Sequence, residues 1–151
     1  MSNKAASLVA QAKQWATYYG GFTQGEEAAV YTAPLRVRAA WDNNDADALA
    51  DVFIDNGSLL DGDEQLNGRE AIRAYMTEAF RTHHKGTKVI DQPLEIRKIS
   101  QDVAIAISDG GIVPEGATEI PPTGKVRVMW VVVRQDGDWK LASYQSSPVK
   151  G

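Results

Sequence analysis

The sequence predicts an α+β domain with helices packed on one face of an antiparallel sheet. Three observations lead there. Apolar residues recur at helical spacing over most of residues 4–86 and at strand spacing beyond Gly86. One short strand, Ser58-Leu59-Leu60-Asp61, interrupts the helices. The last third carries tight-turn signals at Ser100-Gln101 and Asp136-Gly137, the second a strong hairpin signature.

Leu8, Val9, Ala12, Trp15 and Tyr19 share one face of a helix over residues 4–19, which Gly20-Gly21 stops. With the linker Phe22-Thr23-Gln24-Gly25 this makes an N-terminal segment of residues 1–25, ahead of a main domain over residues 26–151. A second helix fits Glu26 to Trp41 through Val30, Pro34, Val37 and Trp41, and Pro34 is expected to kink or restart it. Asn44 is a suitable N-cap for a third helix, with Asp45 and Asp47 in the first turn and Ala48, Leu49, Val52 and Phe53 following. Asn67-Gly68-Arg69-Glu70 has the form of a capping box with Asn in place of Ser. It opens a helix whose inward residues are Ile72, Tyr75, Met76, Ala79 and Phe80, closed by Gly86. Four strands follow, over 88–99, 102–112, 125–134 and 138–146, with a Pro- and Gly-rich loop at 113–124.

The chain of 151 residues is one domain in size, and its 43% hydrophobic and 24% charged shares are globular. With no cysteine, disulfides, thiolate metal sites and thiol catalysis are excluded. A formal net charge of −4 is unsuited to phosphate neutralisation, so nucleic acid is not expected as a partner. The N-terminus lacks the apolar block of a signal peptide and no segment has the ~20 apolar residues of a membrane span, so a cytoplasmic location and no membrane partner are expected. Eight acidic residues and no Lys or Arg lie between Trp41 and Glu64, which helix ends and turns would accommodate. Val126 to Val133 is almost wholly apolar, so both of its faces should be covered. Helices cover one, and a second copy of the chain is expected on the other, giving a homodimer through the outer sheet face.

Three segments carry a resemblance: Ala40 to Phe53 around Trp41-Asp42-Asn43-Asn44-Asp45, Leu66-Asn67-Gly68-Arg69-Glu70-Ala71-Ile72, and Val132 to Gln145 around Asp136-Gly137-Asp138-Trp139. They resemble the SnoaL-like, ketosteroid-isomerase-like superfamily, and within it the SgcJ/EcaC group of enediyne biosynthesis proteins. The likeness runs from about Ala28 to Val149. It implies a cone: a strongly curved, mostly antiparallel sheet wrapped against three helices, with a pocket at the wide end. It also places the proton-shuttling aspartate of ketosteroid isomerase on Asp61. The two oxyanion donors of that enzyme fall on Val37 and Met129, which cannot donate. Such a donor is typically worth ~3 kcal/mol or more, so steroid-type isomerisation is not expected.

Strand alternation then lists a pocket. If Met129 faces inward, so do Lys125, Arg127 and Val131, and on the last strand Tyr144 and Ser146 with Ala142. Trp41 and Tyr75 line it from the helices. Asp61 reads either as a general acid/base whose pKa apolar neighbours raise, or as a turn carboxylate capping Gly62-Asp63. Arg127 reads as a ligand for a carbonyl or carboxylate, as a partner of Asp61, or as a surface charge. Tyr75 and Tyr144 read as core aromatics with a hydroxyl at the cavity edge.

His83 and His84, adjacent on a helix, would point ~100° apart, which argues against a shared metal and for complementing the helix dipole. Asp61-Gly62-Asp63-Glu64-Gln65 opens like a calcium loop but has Leu66 and Ile72 where that loop needs Gly and Glu. No phosphate-binding loop, GxSxG or HExxH motif is present. No metal and no cofactor are therefore expected. The expected function is a small-molecule-binding protein of secondary metabolism, holding a hydrophobic polyketide or enediyne intermediate. The alternative is a cyclase, isomerase or dehydratase using Asp61, and a third is a protein-interaction adaptor.

Overall fold

The computed structural model describes residues 25–149, so the helix and linker expected at the N-terminus lie, except for Gly25, outside the described residues. Three helices and six strands follow: α1 (Gly25–Asp42), α2 (Ala46–Asp51), β1 (Phe53–Asp61), β2 (Glu64–Asn67), α3 (Arg69–Ala79), β3 (Lys88–Ser100), β4 (Val103–Val113), β5 (Val126–Gln135) and β6 (Asp138–Pro148). The strands form one curved, unclosed sheet in the order β2-β1-β6-β5-β4-β3, and only the β1–β6 pair is parallel. Register shifts within β3–β4 and β5–β6 mark the bulges that bend long strands. The helices lie on the inner face, as the order of elements along the chain predicts.

α1 is the central helix, and Val30, Tyr31, Leu35, Ala40 and Trp41 are all buried along it. Pro34 neither breaks nor restarts it, because the helix runs unbroken through that position. The Pro34 ring is itself fully buried, and its packing offsets the lost backbone bond. At the next turn the N-cap of α2 is Asp45, which accepts from Ala48 N–H at 3.1 Å, and not Asn44. Asn44 adopts a positive φ of 49° and ties the turn to the chain after α3, accepting from Gly86 N–H at 2.6 Å.

Phe53 opens β1 instead of closing a helix, so the strand is longer than its sequence pattern suggests. No capping box forms before α3. Its N-cap is Gly68 at φ 99°, a conformation other residues rarely adopt, and Asn67 belongs to β2. Arg69 does the joining. Its Nε and Nη2 donate to the Phe53 carbonyl at 2.9 and 2.7 Å, and Nη1 reaches Asp55 at 2.8 Å. Arg73 answers much of the acidic cluster, pairing with Asp47, Asp51 and Glu70 at 3.0, 2.8 and 3.1 Å.

The β-meander follows its sequence pattern closely, including the long loop at 114–125. Asp136 and Gly137 both have positive φ, 52° and 80°, as a two-residue hairpin with the twist of its strands requires. On β5 the inward residues are Val126, Val128, Trp130 and Val132. Met129 and Arg127 are exposed, so the alternation is opposite to the expected one. A bulge on β6 lets both Leu141 and Tyr144 face inward although they are three residues apart, and Ala142 sits between them. No helix among the described residues is long and apolar enough to cross a membrane.

Arg69→Ala is expected to lower stability by about 1.5–3 kcal/mol, the range for hydrogen bonds from a charged donor. Asp55→Ala should cost under about 1 kcal/mol, because its carboxylate is 94% exposed. Urea denaturation of the two variants checks both, and equal effects would refute the assignment of the stabilisation to the Phe53 carbonyl.

Candidate functional site

Between α1 and the inner face of the sheet lies a cavity of about 440 Å³, within the size range of small-molecule sites. Val37, Trp41, Leu59, Val126, Val128 and Trp130 are among the residues of its apolar wall. Its two carboxyls, Asp61 and Asp91, enter at separate places.

The first is Asp61, the last residue of β1, placed by its pairing with Glu64 across the Gly62-Asp63 turn. Tyr75, on the face of α3 that meets β1, donates its phenol proton to Asp61 Oδ2 at 2.7 Å. His84 Nε2 lies 3.0 Å from the same oxygen and His83 Nε2 at 3.9 Å. No described hydrogen bond engages Oδ1. Burial pushes the Asp61 carboxyl up, but hydrogen bonds from His84 and Tyr75 outweigh it and hold it below the usual carboxylate value. Asp61 is therefore an anion at neutral pH. The Tyr75 phenol is driven the other way, by burial first and by its hydrogen bond to Asp61 second, so it keeps its proton.

The two histidines come together because neither lies in the helix. α3 ends at Ala79, and Phe80 to Gly86 form turns in which His84 N–H donates to the Ala79 carbonyl at 2.7 Å. The ~100° helical separation thus does not apply, and the ring centroids are 4.2 Å apart. Buried His84 also packs on Trp41 with centroids 4.9 Å apart, while His83 remains exposed. Their expected role as partners of a helix dipole is replaced by convergence on Asp61.

The second polar place is Asp91 on β3, 2% exposed. Tyr31 from α1 donates to Oδ2 and Ser108 from β4 donates to Oδ1. Trp130 Nε1 on β5 in turn donates to Ser108 Oγ at 2.9 Å. Burial raises the Asp91 carboxyl pKa, and the two hydroxyls and the Arg38 charge only partly oppose it. Tyr144 feels both acids. Burial pushes its phenol up to about 12, with Asp91 and Asp61 adding to the rise.

Of the sequence-derived site residues, Asp61, Trp41, Tyr144 and Ser146 line this cavity, and Tyr75 reaches it through Asp61. Asp61 caps nothing in the Gly62-Asp63 turn. Arg127 and Met129 are not in the cavity. Arg127 pairs with Asp109 at 2.8 Å on the outer face and so does not meet Asp61, and Met129 is 39% exposed beside it. Their inward placement came from aligning Met129 with a catalytic position, and the larger apolar Trp130 takes the inner side instead. His83, His84, Asp91 and Ser108 were not foreseen as site residues. The usable signal for the last two was a polar residue on the alternate inner positions of apolar strands, at Val89-Ile90-Asp91 and Ala106-Ile107-Ser108.

Comparison with known proteins places this geometry. The model of a SnoaL-like domain family matches residues 30–150. No curated protein matches the chain. A domain of unknown function with a cystatin-like fold from Nostoc punctiforme PCC 73102 superposes with a TM-score of 0.76 at 21% identity, over 83% of this chain and 78% of that one. A protein provisionally assigned as a scytalone dehydratase, from Novosphingobium aromaticivorans DSM 12444, gives 0.68 at 20% identity, over 83% and 85%. A ketosteroid isomerase-like protein from Erwinia carotovora atroseptica SCRI1043 gives 0.65 at 18%, over 82% and 96%. At these identities the likeness establishes the fold.

The raised Asp91 pKa has a sign that stability measurements read directly. Folded protein holds that proton more tightly than unfolded protein, so its contribution is present below the ordinary carboxylate value and is lost as pH rises toward the folded one. Asp91→Asn removes this dependence. Relative to wild type, the variant should therefore gain stability on going from about pH 4 to about pH 7. Paired urea titrations at the two pH values test it, and a constant or reversed difference would contradict it.

Proposed function

We propose, from the premise that this chain belongs to the SnoaL-like domain family, that it binds a hydrophobic small molecule in the cavity and moves a proton on it by acid–base chemistry. The observation that carries this reading is the convergence of Asp61, Tyr75, His83 and His84 at one end of a mostly apolar cavity. The chemistry fitted by these groups is abstraction of a proton from carbon next to a carbonyl, the step shared by isomerases, dehydratases and cyclases. Asp61 is ionised, and its Oδ1 is left for the substrate proton. His84 and Tyr75 hold Oδ2 and fix the carboxylate's orientation. The enolate oxygen formed in that step needs a donor in the cavity. Tyr144 keeps its phenol proton and lies within electrostatic reach of Asp61, which fits that role. Val37 supplies no donor, in keeping with a reaction other than steroid isomerisation.

Within this reading the ligand is a conjugated polyketide, and the resemblance to the SgcJ/EcaC group points to an enediyne precursor. A carrier that only holds such an intermediate uses the same cavity without proton transfer, so the two readings separate on Asp61. Trp41 and Trp130 line the wall, so quenching of their fluorescence by a conjugated polyene ketone reports binding. Deuterium exchange from solvent into the carbon beside the carbonyl reports proton abstraction. Asp61→Asn is expected to retain quenching and to slow exchange about 10²- to 10⁴-fold. Unchanged exchange removes Asp61 from the chemistry, and no quenching in wild type rejects the cavity reading.

The outer sheet face supports a homodimer as part of this proposal. Ile105, Ile107, Val131 and Val133 are half-buried there and Met129 is exposed, which leaves apolar surface open on a single chain. Light scattering at micromolar concentration should give a dimer mass, and Met129→Arg should shift it toward monomer. A monomer mass for wild type would refute the pairing.

A further inference from the structure

We infer that Asp61 Oδ2, His83 Nε2 and His84 Nε2 form a binding site for one divalent transition-metal cation of the Zn²⁺ class. It rests on the preceding reading only in taking this cluster as the polar pole of the cavity. Asp61, His83 and His84 each offer one ligand atom, and these lie within 4.8 Å of one another. Around an ion with bonds of about 2.0–2.2 Å, neighbouring ligand atoms stand roughly 3–3.5 Å apart. The His84–Asp61 separation of 3.0 Å meets that spacing, and the His83–Asp61 separation of 3.9 Å needs only a small turn of an exposed ring. Imidazole nitrogen with one carboxylate is a donor set that suits zinc, iron(II), cobalt and nickel better than calcium or magnesium.

The hydrogen-bond pattern points the same way. The Thr82 hydroxyl donates to the Glu78 carbonyl at 2.8 Å, so toward His83 Nδ1, 3.3 Å away, it can only accept. Nδ1 therefore carries the proton in neutral His83, and Nε2 carries a lone pair. That lone pair faces the Tyr75 oxygen at 3.3 Å, whose own proton is committed to Asp61 at 2.7 Å. Three electron-rich atoms thus converge with no proton between His83 Nε2 and its neighbours. A cation at this point engages these lone pairs and uses His84 as well. Thr82 also holds the ring from behind, as partners of metal-ligating histidines do. Three protein ligands leave coordination positions open to water or to a ligand oxygen in the cavity.

An ion on Oδ2 would replace the hydrogen bond from His84 that orients the Asp61 carboxylate, so stripped and loaded protein are distinct states. The test uses the untagged full chain, stripped with chelator and titrated with Zn²⁺ by calorimetry and with Co²⁺ by visible absorption. One ion per chain is expected, with cobalt bands of low coordination number. His83→Ala, at an exposed position that leaves the core intact, should weaken binding at least about tenfold, and Asp61→Asn likewise. No saturable binding, or binding that His83→Ala leaves unchanged, overturns the site. So do imidazole NMR signals of His83 and His84 that Zn²⁺ does not perturb. Tryptophan quenching and deuterium exchange run in chelator keep the two readings apart. Exchange without metal binding sinks the metal site alone, whereas metal binding without ligand quenching sinks the cavity reading alone.

Discussion

A buried carboxyl holds this structure's interior in register. Asp91 stands on the inner face of β3 with almost no solvent contact, and it is tolerable there only because hydroxyls from two other elements reach it. Tyr31 comes down from α1 and Ser108 across from β4, while Trp130 of β5 bonds to Ser108. One polar chain therefore ties the central helix to three neighbouring strands. A bond of this kind has a length, unlike apolar contact, so it sets how closely α1 can approach the sheet. The space left beside it, walled by Trp41, Leu59, Val126 and Val128, is the cavity.

The reactive pole is built differently, from a short stretch of chain that returns on itself. Asp61 ends β1, Tyr75 sits on α3, and His83 and His84 follow in the turns after it, all within 24 residues. Local geometry thus makes the cluster, and tertiary packing supplies its surroundings: Trp41 against His84, and the edge of the cavity against Asp61. Because the Asp61 carboxylate is stabilised by its donors more than burial penalises it, the pole is anionic in a mostly apolar chamber. That contrast is what separates this end of the cavity from the Asp91 end, where burial wins and raises the carboxyl pKa. Two carboxyls of the same type thereby take opposite characters from their neighbours alone.

Fold class, the strand pattern and the Asp136-Gly137 hairpin were legible in the sequence because period-2 alternation and turn chemistry are local properties. Tyr75 was legible for the same reason, at an inward helical position, whereas Asp61 was picked out by the resemblance to ketosteroid isomerase. The helix boundaries were less so. Asn44 and Asp45 are both good caps, and what separates them is Asn44's bond to Gly86, 42 residues away. Phe53 continues a helical pattern yet opens β1, since its carbonyl is claimed by Arg69 and its side chain by the core.

What the sequence determined by itself is the kind of molecule: an α+β domain of one core, without thiol chemistry, whose hydrophobic residues exceed what one layer of helices can cover. Tertiary structure alone decided which residues share the cavity. In a strand with apolar residues on both faces, such as Val126 to Val133, alternation does not reveal which phase points inward, and Trp130 settles it only by meeting Ser108 across the sheet. The same holds for His83 and His84, whose directions depend on α3 ending at Ala79 instead of continuing through them. Periodicity constrains a side chain relative to its own element. Its partners are set by where the other elements stop and cross, and that information is held in contacts between distant residues.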